Sequence, residues 1–231
     1  MPNSIQKLRI SLGGSYYRPE AWDMAAITYD LIQPFGLWTL RALGGLSYRE
    51  FATEMVRLAD LRGGEHVLDA ACGTGYLLPA LHDAIGDAGH ICAVDFSPGM
   101  LDRARKKGAR KGLHGIQFQL GAVEELSHIY GHERFDAALC CFAFPVFPDP
   151  QRALHEMRAV LKPGGRLLIS NVERERLERA RFRRFWQWAM NRWHLAYYHR
   201  EEYVAMFARC GLQPPEFHTY GLTVVIKSRR A

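Results

Sequence analysis

The chain has 231 residues, 48% of them hydrophobic and 23% charged, with a formal net charge of +6. That balance fits one large α/β domain with a sizeable core and excludes a disordered chain. The positive charge suits an anionic partner (nucleic acid, a membrane surface or an acidic metabolite) and equally a soluble protein with one basic face. The cysteines, Cys72, Cys92, Cys140, Cys141 and Cys210, form no C-x-x-C pair. Reduced, mostly buried thiols in a cytoplasmic protein are therefore expected, and no metal site is signalled. No basic leader with an apolar stretch behind it, and no apolar run of membrane-spanning length, is found.

Residues 1 to 20 form a poorly patterned arm. From Ala21 to Tyr48 the chain is rich in aromatics, with helical pieces broken by Pro34, Gly36 and Gly44-Gly45. A helix is expected from Tyr48 to about Asp60, with Phe51, Met55, Leu58 and Ala59 on one face. Then His66-Val67-Leu68-Asp69-Ala70-Ala71-Cys72-Gly73-Thr74-Gly75 spells strand, tight glycine turn and helix, the helix opening with Tyr76, Leu77, Leu78 and Leu81. Gly73 and Gly75 lack a Cβ, so a ligand can approach the backbone there. The following helix is expected to offer it free N–H groups. A dinucleotide turn needs a third glycine where this chain has Leu78, and the P-loop pattern is absent.

His90 to Asp95 forms a second buried strand ending in an acid, which can accept two hydrogen bonds from a ribose diol. Ser97-Pro98 opens a helix as N-cap and first residue. Its cluster of Arg103, Arg105, Lys106, Lys107, Arg110 and Lys111 is taken as a solvated outer face in preference to a nucleic-acid or lipid site. Ile116 to Leu120 alternates as a third strand. Phe135 to Phe144 forms a fourth, central strand that runs into an apolar, proline-rich loop. Asp149-Pro150 opens a helix with Ala153, Leu154, Met157, Val160 and Leu161 on one face, and Leu161 to Gly165 turns it into a fifth strand. From Glu173 to Arg200 arginines interleave with aromatics. Glu201 to Leu212 is a helix stopped by Gly211, and Phe217–Thr219 with Leu222–Lys227 closes the chain as an antiparallel pair.

Asp69-Ala70-Ala71-Cys72-Gly73-Thr74-Gly75 resembles the first motif of the class I S-adenosylmethionine-dependent methyltransferases, with Ala71 where many members have Gly. Asp95-Phe96-Ser97-Pro98-Gly99-Met100-Leu101 resembles their second motif, and Leu161-Lys162-Pro163-Gly164-Gly165 a structural turn after their core. Tyr29-Asp30-Leu31 with Phe35-Gly36-Leu37-Trp38 resembles the N-terminal segment of the ubiquinone/menaquinone-biosynthesis branch. The resemblance implies an α/β, Rossmann-like, doubly wound sheet of seven strands, mostly parallel with the last antiparallel, and helices on both faces. It implies S-adenosyl-L-methionine as cofactor and S-adenosyl-L-homocysteine as product. Transferred onto this sequence, it assigns Asp95 to the ribose and Phe96 and Met100 to the adenine. Asp69, Ala71, Cys72, Gly73 and Gly75 form the glycine turn, Cys141 and Phe142 flank the methyl donor, and Tyr29 reaches the ligand from the N-terminal segment. Where the family has an acid for the adenine amino group this chain has Ala122. That loses a contact worth about 1 kcal/mol and leaves the backbone of Ala122 and Val123 for the adenine edge.

The expected organisation is one domain: a helical cap over residues 1–60, the cofactor-binding core over 61–171, a lid over 172–200, and a closing helix and strand pair over 201–231. The loop after Phe144 lacks the Asn/Asp-Pro-Pro-Tyr/Phe sequence of many amino-methylating enzymes, and its apolar character suits a small lipophilic or aromatic acceptor. A lipid or membrane contact is compatible with that, and a nucleic-acid partner is disfavoured but kept open. A base for the acceptor could come from His128, His194, Tyr197, Tyr198 or His199, none within a motif, so no catalytic residue is assigned. Two further readings stay open: an RNA-directed methyltransferase, from the charge and the Arg/aromatic stretch, and a non-catalytic cofactor-binding protein, from Ala122.

Overall fold

The computed structural model describes residues 23, 45–179 and 196–231. The expected Tyr29 contact, His194 and most of the Arg/aromatic stretch lie outside these residues.

Seven strands form one sheet in the order β3-β2-β1-β4-β5-β7-β6. They are β1 (His66–Ala70), β2 (His90–Asp95), β3 (Ile116–Leu120), β4 (Phe135–Cys141), β5 (Leu161–Val172), β6 (Glu216–Tyr220) and β7 (Thr223–Arg229). The pairs β1·β2, β1·β4, β2·β3 and β4·β5 are parallel, whereas β7 runs antiparallel to both β5 and β6. This is the expected sheet, with β7 as the antiparallel strand. The sequence order reverses between β1 and β4, and in open α/β sheets the crevice at the strand carboxyl ends there is the usual ligand site.

The helices are α1 (Tyr48–Ala59), α2 (Leu78–Ile85), α3 (Pro98–Arg110), α4 (Leu126–Tyr130), α5 (Pro150–Val160), α6 (Arg174–Arg179) and α7 (Arg200–Arg209). They cover both faces because the strand side chains alternate. Leu68 and Ala70 of β1 pack with α4, α5 and α7, while Val67 packs with α1, α2 and α3. Local chemistry starts several of the helices. Ser47 and Glu50 form a reciprocal capping box on α1. Asp149 accepts the Arg152 N–H ahead of Pro150. No helix among the described residues is long and apolar enough to cross a membrane.

Three boundaries differ from the sequence expectation. The helix after the glycine turn begins at Leu78, not at Tyr76, because residues up to Leu77 stay in turns and bends beyond the carboxyl end of β1. β4 ends at Cys141, where Phe142 turns into a left-handed conformation at φ 55°. β5 already starts at Leu161, so the Lys-Pro-Gly-Gly turn becomes an irregularity within the strand's pairing to β4.

The segments flanking the Arg/aromatic stretch are pinned to the body. The Glu173 N–H donates to Leu222 O at 2.8 Å and the Ala196 N–H to Pro145 O at 2.9 Å. The buried Glu173 carboxylate accepts from the Arg200 guanidinium and pairs with Arg176 at 2.9 Å. Asn171 and Tyr203, both buried, join β5 to α7 through an Asn171 Nδ2 bond to the Tyr203 hydroxyl at 2.7 Å.

Gly75 has a packing reason of its own. Its φ is +75°, and a Cβ there would lie 2.6 Å from Leu78 Cδ1 and 3.2 Å from Ala104 Cβ. Gly73, at φ +54°, has nothing within 4 Å of its would-be Cβ. Gly75→Ala is therefore expected to destabilise the protein by about 2–3 kcal/mol from overpacking and left-handed strain. Gly73→Ala bears only the strain, about 1 kcal/mol. Urea denaturation midpoints of the two variants measure the difference.

Candidate functional site

At the carboxyl ends of β1, β2 and β4 lies an open hollow, at the place where open α/β sheets hold their ligands. It is lined by ten of the thirteen residues expected from sequence: Asp69, Ala71, Cys72, Gly73, Asp95, Phe96, Met100, Val123, Cys141 and Phe142. Gly75 is not in the lining, since its role is the helix contact just described. Ala122 is buried but also absent from the lining, and the residues on either side of it, Gly121 and Val123, face the hollow instead. The chain turns at Ala122 into a 3₁₀ turn over Val123–Glu125. Tyr29 is the remaining one, outside the described residues.

Asp95 organises the site. Its Oδ2 accepts the Gly73 N–H at 2.8 Å and its Oδ1 the Ser97 N–H at 2.9 Å. The first of these commits the Gly73 amide to a carboxylate. An ionised carboxylate has about four lone-pair sites, so even with backbone amides on it Asp95 can still accept from a ligand. Burial raises Asp95 to a pKa of about 6, against the pull of the Ser97, Gly73 and Phe96 amides. Asp69, also buried, is raised further, to about 7, by burial and by the Asp95 charge. Its Oδ2 has no hydrogen-bond partner among the described residues. A buried, unpartnered carboxylate oxygen beside a second acid is a place for a cationic group.

The backbone on both sides of the hollow is strained. Ala71 sits at φ 56° and Phe142 at φ 55°, a region that costs a non-glycine residue about 1–2 kcal/mol. The Phe142 N–H is held by Ser170 O at 3.1 Å, and its ring stacks on Phe51 of α1 at 5.0 Å. The two pocket thiols are unreactive by environment: burial pushes Cys72 well above the ordinary thiol value and Cys141 up to about 12.

The outer wall, Ala143, Val146 and Phe147, is apolar, as the loop composition suggested. Thr74, Tyr76, Leu77 and Gly121 also line the hollow and were not picked out from sequence. The late helix start leaves Thr74, Tyr76 and Leu77 facing the hollow. Among the described candidates for a base, none lines the hollow. His128 is exposed on α4. Tyr198 packs against Phe144 and Tyr203. His199 caps α7 and lies 3.4 Å from Glu175.

With this geometry in view, the comparisons with known proteins fall into place. Residues 67–165, from β1 to the start of β5, match the family model described as a methyltransferase domain. Solved structures share the fold. One is an S-adenosylmethionine-dependent methyltransferase from Aquifex aeolicus (TM-score 0.66, 19% identity, covering 84% of this chain and 97% of that one). Another is a Haloferax volcanii chain from the complex of the Trm112 methyltransferase activator with a methyltransferase (TM-score 0.71, 19% identity, 90% and 97%). Among sequence relatives, the demethylmenaquinone methyltransferase of Listeria monocytogenes is 35% identical over 49% of this chain and 47% of its own length. The ubiquinone biosynthesis O-methyltransferase of Coxiella burnetii is 36% identical over 48% and 45%. The chain thus spans about half the length of these relatives. The resemblance read from the motifs, including its quinone-biosynthesis branch, holds.

The site has a consequence for stability. An acid raised on folding keeps its proton where the unfolded chain has already lost it. The ligand-free protein therefore loses stability as pH rises from 3.8 towards 7, and the full cost of Asp69 is present above that window. Asp69→Asn is expected to raise the melting temperature at about pH 8, by an amount corresponding to a few kcal/mol, with the gain shrinking at about pH 5. Thermal melts of both proteins at the two pH values test this.

Proposed function

We propose that this chain is an S-adenosylmethionine-dependent methyltransferase acting on a small lipophilic or aromatic acceptor. The observation that carries the reading is the pairing, at the switch point of the sheet, of a ribose-competent Asp95 with the unpartnered oxygen of Asp69. The residues fit the donor. Asp95 would take the ribose hydroxyls on its remaining lone pairs. Asp69 would receive the amino group of the methionine part, and the open space beside Gly73 admits the chain between them. Met100, Phe96 and Val123 would hold the adenine. Cys141, Phe142 and Ala143 would stand beside the methyl.

When bound, S-adenosylmethionine supplies an already activated methyl for direct displacement. The protein's own task is then alignment and exclusion of water. Among the described lining residues, Asp69 and Asp95 are allocated to the donor and burial holds Cys72 and Cys141 as thiols, leaving Tyr76 as the other titratable group. The apolar wall of Val146 and Phe147 favours a greasy acceptor, and relatives named for menaquinone and ubiquinone synthesis point to a quinone precursor. The RNA-directed alternative draws on the Arg/aromatic stretch. Of its four described arginines, Arg174 pairs with Glu178, and Arg176 and Arg200 with Glu173, which leaves the exposed Arg179 for such a contact.

Calorimetry with S-adenosylhomocysteine is the direct test. Binding is expected, and Asp95→Ala should weaken it at least about tenfold, the worth of one charge-assisted hydrogen bond. Affinity should rise with pH as Asp95 and Asp69 ionise, through about 6 and about 7. No binding by the folded wild type would refute the reading.

The acceptor is addressed separately, by following a labelled methyl group in cell extract. Label in the organic-soluble fraction is expected. Label in RNA would favour the alternative.

A further inference from the structure

We propose that Asp23 is a positioning residue for the donor site, acting on Asp95 through the Ser97 turn. Asp23 belongs to the N-terminal region, more than seventy positions from the turn it serves. Its Oδ1 accepts the Ser97 hydroxyl at 2.6 Å and the Gly99 N–H at 2.8 Å. The Ser97 oxygen in turn accepts the Met100 N–H at 3.1 Å, and the Ser97 N–H donates to Asp95 at 2.9 Å.

These bonds complete the first turn of α3. Pro98 has no N–H to offer, Gly99 gives its own to Asp23, and Met100 gives its own to Ser97. A serine hydroxyl rotates freely unless a strong acceptor fixes its proton. Asp23 is that acceptor, and its negative charge sits favourably at the helix N-terminus. With the hydroxyl fixed, one turn holds both the amide that orients Asp95 and the backbone of Met100, which lines the hollow.

The fit is tight enough to leave a signature at Gly99. A Cβ on Gly99 would lie 2.9 Å from Asp23 Oδ1 and 3.0 Å from Asp23 Cα. Gly99 is thus the residue that lets Asp23 reach the helix end. The charge of Asp23 also acts on Asp95 through space, raising its proton affinity. The other groups facing Asp95 are Asp69 and Cys72, both influenced by its charge, and the Gly73, Ser97 and Phe96 amides.

The test is calorimetric titration of the full chain with S-adenosylhomocysteine, and it rests on the donor reading above. Absence of binding by the wild type fails that reading, whereas wild-type affinity in the variants fails this one alone. Asp23→Ala is expected to lose about tenfold in affinity, and Asp23→Asn, which keeps the acceptor oxygen, to stay within about threefold. Gly99→Ala, which displaces Asp23 while adding a helix-favouring residue, should reproduce the loss even if Asp23→Ala folds poorly. In Asp23→Asn the pH at which affinity rises should move down, because a like charge facing Asp95 is gone, a shift that a merely structural contact does not produce. Wild-type affinity in Gly99→Ala, equal losses in Asp23→Ala and Asp23→Asn, or an unmoved pH profile in Asp23→Asn would overturn the assignment.

Discussion

One buried carboxylate ties the functional end of this molecule together. Asp95 stands at the tip of β2 and accepts an amide from the turn after β1 and another from the turn that opens α3. Two βα loops are thereby locked in register above the sheet. Without that carboxylate, the glycine turn would have an unpaired amide and the start of α3 would lose its reference point. The group that anchors the architecture is also the one left with spare acceptor capacity at the edge of the hollow. Burial makes this costly, and the raised proton affinity of Asp95 and of neighbouring Asp69 is the electrostatic trace of that cost.

Much of the fold was legible because its strands are short, apolar and bounded by turn residues. β2 and β3 have the limits their alternation and buried runs suggest. Helix starts with a side-chain cap, such as Ser97-Pro98 and Asp149-Pro150, were equally plain, because the cap is a local chemical event. Legibility failed where backbone conformation is decided by tertiary packing. Tyr76 and Leu77 carry a helical pattern, yet the chain stays in turns so that Gly75 can pass under Leu78 and beside Ala104. Phe142 looks like the continuation of a strand, but it turns left-handed and stacks on Phe51 from a distant helix.

The same division holds at the site. Residues at the ends of β1 and β2 that their motifs singled out line the hollow, since an acid near a strand tip followed by glycines or a capping serine marks a turn by its local chemistry. Ala122 is buried at the start of a 3₁₀ turn, and Gly121 and Val123 on either side of it line the hollow. Thr74, Tyr76, Leu77, Val146 and Phe147 carry no distinguishing chemistry; only the path of the backbone turns them inward. Asp23 could not have been found by periodicity at all, since its meaning lies in a contact across most of the first half of the chain.

The thiols beside the hollow carry a consequence for the activity proposed above. A thiolate within reach of a sulfonium methyl would compete with the acceptor as nucleophile. Cys72 and Cys141 both line the hollow, yet burial holds both firmly as thiols. The Ser170 hydroxyl contact on Cys141, at 3.3 Å, does not offset that burial. With the donor proposed above in place, the same burial would keep both thiols from being alkylated by it.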